Sequence, residues 1–270
     1  MISIKKTILI SSVLVLSICA QEKFDSFNKN GKSKTKIVQT YRFDKVPDDG
    51  SYSIQIQNLS GDIKILGQAG SGGEIKITNV AFDVSENNYE QAHKLSRPIV
   101  KHLESKGIIN IIGNQENIDS LKIENIIEIN MPVNINLNFQ ILGGDIYVKN
   151  INGETIIETL GGDILIENHN GKIETKTNGG TIEVINQNGI LRSHSFGNTI
   201  TISESKGEFY ASCIGGDIFM NDLTGEIESQ TSGGSIILSE IKGGTINCHS
   251  SGGMVTAENI KGEIKIKNSG

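Results

Sequence analysis

The sequence predicts an all-β protein, a right-handed parallel β-solenoid of 18-residue coils with two main sheets, and three observations carry that expectation. Coils open at Gly143, Gly161, Gly179, Gly197, Gly215 and Gly233, 18 residues apart each time, and once more at Gly252 after 19. A second Gly recurs halfway round each coil, at Gly153, Gly171, Gly189, Gly207, Gly225, Gly243 and Gly262. Between these glycines apolar residues alternate with polar ones at a period of two, which is the signature of strands with one face inward.

Aligning the coils puts Ile146, Ile164, Ile182, Ile200, Ile218, Ile236 and Val255 in one inward column. Val148, Ile166, Val184, Ile202, Met220, Leu238 and Ala257 form the next. The second half-coil supplies Ile173, Leu191, Phe209, Ile227, Ile246 and Ile264, followed by the smaller Thr175, Ser193, Ala211, Ser229 and Cys248. A triangular helix of three hexapeptides would need an apolar residue six positions after each Ile, where Asn152, Asn170, Asn188, Lys206, Thr224, Lys242 and Lys261 stand instead. Two apolar faces per turn therefore predict two parallel sheets about 10 Å apart with a rise of ~4.8 Å per coil. Right-handed winding follows from the handedness of parallel crossovers. The residue after the opening Gly is Gly in six coils and Asn198 in one, the next best residue for a left-handed turn. The extra residue before Gly252 predicts a bulge at Gly243-Gly244.

Upstream of residue 143 the pattern is weaker. Residues 1–20 read as an export signal, with Lys5 and Lys6 before an apolar run from Ile8 to Ile18 and a cut after Ala20. The run is too short to span a membrane. Lipidation at Cys19 is the rival reading, but such sites need a small residue before the Cys, where Ile18 stands. The mature chain is thus expected to be exported, to periplasm, cell envelope or medium, with no transmembrane segment. Residues 21–40 are polar and Lys-rich and read as a disordered spacer. Residues 41–142 read as an irregular start of the same solenoid. Strands are expected around Ile54–Ile65, Ile75–Phe82, Ile99–Ile112 and Leu121–Ile129, with one helix over about 86–96, capped by Ser85 and stopped by Pro98.

With 36% hydrophobic and 21% charged residues the chain is of folded composition, and its 31 Gly against three Pro are spaced like turn residues, not clustered like a linker. A net charge of -6 offers no basic face for a phosphate backbone, which argues against nucleic acid.

Asp145 and Asp163 share one column of adjacent coils, so their carboxylates should lie about 5 Å apart, the separation of a retaining glycosidase pair. Both, however, follow a Gly-Gly turn, and the absence of Trp leaves little aromatic surface for a sugar ring, so polar turn residues are the favoured reading. A calcium β-roll would need its Asp two residues after a third Gly; Ile146 and its equivalents stand at that Gly position, so the ligands are missing. His93, His102, His194 and His249 are expected on outward or loop positions and His169 inward. No cofactor or metal is implied. Cys213 and Cys248 would both face the core two coils apart, ~10 Å, beyond disulfide reach. Asn150, Asn168 and Asn186 stack as an amide ladder or simply as three turn residues. On the outward face of the first sheet, Tyr147 with Leu165 and Phe219 with Ile237 form apolar pairs, a surface for a protein or glycan partner unless N-terminal strands cover them.

The chain resembles the bacterial putative-adhesin family of β-strand-repeat proteins. The likeness rests on Ser60-Gly61-Asp62-Ile63, on Met131-Pro132 before the coils, and on the serial Gly-Gly-Asp-Ile at Gly143, Gly161 and Gly215, and covers about Tyr41 to the end. It implies an exported, envelope-associated or surface protein and brings no catalytic residues with it. Three functions are open at this point: a non-enzymatic surface-interaction module, a polysaccharide hydrolase or lyase using Asp145 and Asp163, and an envelope-stress or signalling accessory. The last residues, to Gly270, stop where another Gly-Asp-Ile is due, which implies either a truncated sequence or an open coil that associates edge to edge with another chain.

Overall fold

The computed structural model describes residues 5–6, 21–29, 32–82, 89–114 and 122–269. The chain divides into two compact units, Met1–Ile135 with Gln140–Gly143, and Asn136–Phe139 with Gly144–Gly270. The export-signal apolar run, Cys19, the cut after Ala20 and Ser85 lie outside the described residues.

The first unit holds β1 (Lys5–Lys6), β2 (Gln21–Lys29), β3 (Lys32–Phe43), β4 (Ser53–Ser60), β5 (Asp62–Gln68), β6 (Gly73–Phe82), α1 (Tyr89–Ser96), β7 (Ile99–Leu103), β8 (Ile108–Ile112) and β9 (Lys122–Pro132). Two of its pairings are parallel, β4 with β8 and β5 with β9. The others are antiparallel: β1 with β2, β2 with β3, β3 with β6, β6 with β9, and β7 with β8. The expected disordered spacer over 21–40 is corrected: β2 and β3 form a hairpin there, and β3 runs along the length of β6. Thr35 and Ile37 point into the unit from β3. A strand with one solvated face carries polar residues at every second position, and this is why the segment reads as unstructured from composition. His93, expected outside, is 1% exposed and lies between Thr35, whose hydroxyl meets Nε2, and Asn79. Asn79 in turn donates to Ser96 and Asn125, so α1 is held by a buried polar network.

The second unit is the regular solenoid of seven coils. Each coil after β10 (Asn136–Gly143) is one strand: β11 (Ile146–Thr159), β12 (Ile164–Thr177), β13 (Ile182–Ser195), β14 (Ile200–Cys213), β15 (Ile218–Thr231), β16 (Ile236–Ser250) and β17 (Val255–Asn268). Consecutive strands pair in parallel with an 18-residue register, Ile146 opposite Ile164 opposite Ile182. The register shifts between Lys242 and Thr245, with Gly243 and Gly244 at φ 75° and 78°, as the expected bulge requires.

A corner splits each strand into the two sheets. Asn150, Asn168, Asn186, Glu204, Asp222, Glu240 and Asn259 all take φ between 50° and 59°, and the halfway Gly follows three residues later. Asn168 donates to Asn150 (3.0 Å) and Asn186 to Asn168 (2.8 Å), so the three Asn are both turn residues and an amide ladder. Asn198, expected at a left-handed angle, does not adopt a positive φ. Its N–H is held by the Ser195 hydroxyl instead.

The predicted inward columns are buried through β16, while in β17 they are half-buried and Ile266 is 48% exposed. A further inward column fills the corner: Ile151, His169, Gln187, Ser205, Leu223 and Ile241. His169 Nε2 meets the Thr155 hydroxyl at 2.9 Å and Nδ1 meets Gln187 Oε1 at 2.9 Å. Because Gln187 Nε2 donates to Gly171 O, its Oε1 accepts, so Nδ1 carries the proton and Nε2 accepts from Thr155. Burial holds the His169 pKa down to about 4.

The column that closes each coil is small and polar: Thr159, Thr177, Ser195, Cys213, Thr231 and Ser250. Thr231 donates to Gly216 O (3.0 Å) and accepts the Gly234 N–H (3.2 Å). Cys213 and Ser250 act alike at their own turns. Cys213 and Cys248 are both buried free thiols in different columns. Thr177 Oγ1 is buried with no partner.

Two outcomes follow. Thr177→Val should be neutral or stabilise by up to ~1 kcal/mol, because it removes an unsatisfied hydroxyl, while Thr231→Val should destabilise by about 1 kcal/mol, as read by denaturant unfolding. His169 stays neutral in the fold while the unfolded imidazole protonates below about 6.5, so the unfolded chain binds more protons in that window. Stability should thus be full above pH 6.5 and fall as the pH drops to about 4. His169→Gln, which keeps donor and acceptor but does not titrate, should lose part of that decline; an unchanged pH profile would contradict the assignment.

Candidate functional site

Asp145 and Asp163 sit exposed on stacked turns. Asp145 Oδ1 accepts the backbone N–H of Asp163 (2.9 Å), and Asp163 Oδ1 accepts that of Thr181 (2.8 Å). Asp217 repeats the contact with Ser235 N (2.7 Å). Each carboxylate tethers the next coil's turn, a task that needs an acceptor and no acid–base chemistry.

Tyr147 lies opposite Leu165, and Phe219 opposite Ile237, all half-buried. Glu183 and Thr201 separate the two pairs in the same column, so they are two patches and not one strip. The first patch is polar at its edge: the Tyr147 hydroxyl donates to Glu167 Oε2 (2.5 Å), which also pairs with Lys149 (2.8 Å). Those two donors pull the Glu167 carboxyl below its usual range, and desolvation pushes the Tyr147 hydroxyl up.

A concave surface lies on the other sheet. Outward residues of the second half-coils form two columns, Ile156, Glu174, Arg192, Tyr210, Glu228 in one and Glu158, Lys176, His194, Ser212, Gln230 in the next. Between them runs a trough of about 500 Å³ across β11 to β15. A second depression of about 240 Å³, sharing Glu228 and Gln230, carries it over β15 to β17. The Arg192 guanidinium stands 4.6 Å over the Tyr210 ring, a cation–π contact. Lys176 pairs with Glu158 (3.0 Å), and Lys172 bridges Glu154 and Glu174 (both 2.9 Å). The His194 ring meets Phe196 edge to face at 4.6 Å, and burial, then the Lys176 charge, lowers its pKa.

Two residues beyond the lining Glu158, His194 and Ser212, just before a Gly-Gly or Gly-Asn pair, stand Leu160, Phe196 and Ile214, 57%, 41% and 46% exposed. They are more open than the four apolar residues singled out from sequence. The signal that could have found them is their shared column, Leu160, Asn178, Phe196, Ile214, which no strand periodicity requires to be apolar. Among the described residues no group of three or more His, Cys, Asp or Glu is arranged to hold a metal ion, and no helix is long and apolar enough to cross a membrane.

Fold and site define a parallel β-solenoid repeat protein with a lateral trough. No protein-family model and no curated protein matches the chain. Among solved structures it is similar to a "putative cell adhesion protein" of Clostridium sporogenes at 11% identity, covering 86% of this chain and 99% of that one, TM-score 0.36. It is similar to a "putative adhesin" of Bacteroides fragilis at 18% identity, with coverage of 86% and 96% and TM-score 0.41. A "putative lipid binding protein" of Parabacteroides distasonis is similar at 13% identity, 86% and 96% coverage and TM-score 0.38.

Proposed function

We propose that this chain is an exported, non-enzymatic surface-interaction module whose binding face is the outward side of the second sheet. The observation that carries the reading is the trough itself: five coils line up cations, carboxylates and an aromatic ring beside three exposed apolar residues. Exposed apolar side chains next to polar ones mark contact surfaces. The repeat scaffold supports it, since a hydrogen-bonded ladder holds these side chains at fixed spacing and lowers the entropy lost on binding. The role of Asp145 and Asp163 as backbone acceptors favours this over a hydrolase or lyase at that pair. The residue pattern at 1–20 supports export.

Purified mature protein is expected to bind bacterial envelope fragments or immobilised matrix saturably at micromolar concentration. Arg192→Ala combined with Phe196→Ala should weaken binding by about tenfold or more. Lys149→Ala, on the other sheet, should leave it unchanged. No saturable binding, or binding indifferent to the trough variant, would refute the reading.

A further inference from the structure

Resting on that reading, we propose that the trough takes a linear, uncharged polysaccharide lying along the stacking direction of the coils. Direction is the first argument. The trough crosses β11 to β15 and continues over β17, so a polymer in it meets a new row of side chains every ~4.8 Å. One sugar unit of an extended glycan advances by about that distance, which lets successive units repeat similar contacts.

The backbone geometry disfavours a peptide. Extended peptides are commonly read by adding a strand to a free sheet edge. In the trough the ladder groups of each strand are spent on the coils on either side, so the backbone there has no strand edge to offer a peptide.

Charge is the third argument. Carboxylates of Glu158, Glu174 and Glu228 interleave with Lys176 and Arg192. A polyanion would meet repulsion at each Glu, whereas sugar hydroxyls can donate to the carboxylates and accept from the cations. The ion pairs are partly exposed and hydrated, and sugar hydroxyls can take over the hydrogen bonds of the water they displace. Flat surfaces complete the fit: the planar Arg192 guanidinium stacked on the Tyr210 ring, and the open Phe196 ring against His194, suit the C–H face of a pyranose.

The test is titration calorimetry of the full mature chain with linear glucan, mannan and galactan oligosaccharides of increasing length, against alginate and gelatin. Affinity for at least one neutral glycan should rise with length and level off near seven units, the number of coils crossed from β11 to β17. Phe196→Ala and Tyr210→Ala should each weaken it about tenfold without moving the melting temperature; Arg192→Gln serves if Tyr210→Ala melts early. Binding of alginate or gelatin with no neutral glycan bound would overturn the glycan assignment and leave the surface-interaction reading standing. Length-independent binding, or binding untouched by all three variants, would overturn it as well. Failure of every probe, envelope fragments included, would overturn both.

Discussion

The solenoid depends on missing Cβ atoms stacked in two columns, the first of them interrupted once by Asn198. At the first turn a Cβ on Gly162, Gly180, Gly234 or Gly253 would come within 1.9–2.2 Å of the carbonyl oxygen of the equivalent glycine one coil below. At the second turn Gly171, Gly189, Gly207 and Gly225 would come within 1.8–2.3 Å. No real side chain fits at those distances. The conformational argument for glycine applies only in part: at the second turns of β11 to β15 φ runs from 128° to 147°, but Gly180, Gly216, Gly234 and Gly253 are not in the left-handed region at all. At those four positions close approach of backbones, and not backbone twist, requires glycine. The coils can then sit at strand spacing along their whole circumference, turns included, which is what allows one parallel ladder to run unbroken through Ile146–Thr159 and its copies.

Once the turns stack, polar groups near them must be satisfied in register, and the coil-closing column does so. At Cys213, Thr231 and Ser250 the thiol or hydroxyl donates to a glycine or Asn carbonyl at the start of its own coil and accepts the N–H of the next turn, and Thr177 is the member left unpaired. Outside the same turn, Asp145, Asp163 and Asp217 accept the N–H of the following coil. Turn and core are thereby determined by a handful of columns, and the outward residues are released from structural duty. The trough is a product of that release: the column Glu174, Arg192, Tyr210 and Glu228 mixes carboxylates with a guanidinium and a phenol.

The coil period, both sheets and the bulge were legible in the sequence because each column repeats six or seven times with little change of character. The corner column was not, because Ile151, His169, Gln187, Ser205, Leu223 and Ile241 look alike only once they are seen to share a buried site. The segment 21–40 was misread because β3 exposes one face and draws its order from β6, which lies some forty residues downstream. His93 was misplaced for a related reason: its partners Thr35 and Asn79 come from two strands distant in sequence. At the candidate site, the outward pairs Tyr147–Leu165 and Phe219–Ile237 were read correctly as neighbours, but Glu183 and Thr201 divide them. The trough was in principle within reach, since Arg192 and Tyr210 are 18 apart; what the period alone does not show is which outward face is concave.

The central claim is that backbone proximity at the stacked turns, not glycine flexibility, holds the coils in register. The most direct measurement compares two adjacent substitutions by equilibrium unfolding. A Cβ on Gly180 would lie 1.9 Å from Gly162 O, whereas one on Gly179 finds its nearest atom, Leu160 O, at 3.9 Å. Gly180→Ala should lose about 3 kcal/mol or more, or fail to fold, and Gly179→Ala should stay within about 1 kcal/mol of the parent. Equal losses at the two positions, or a neutral Gly180→Ala, would contradict the account.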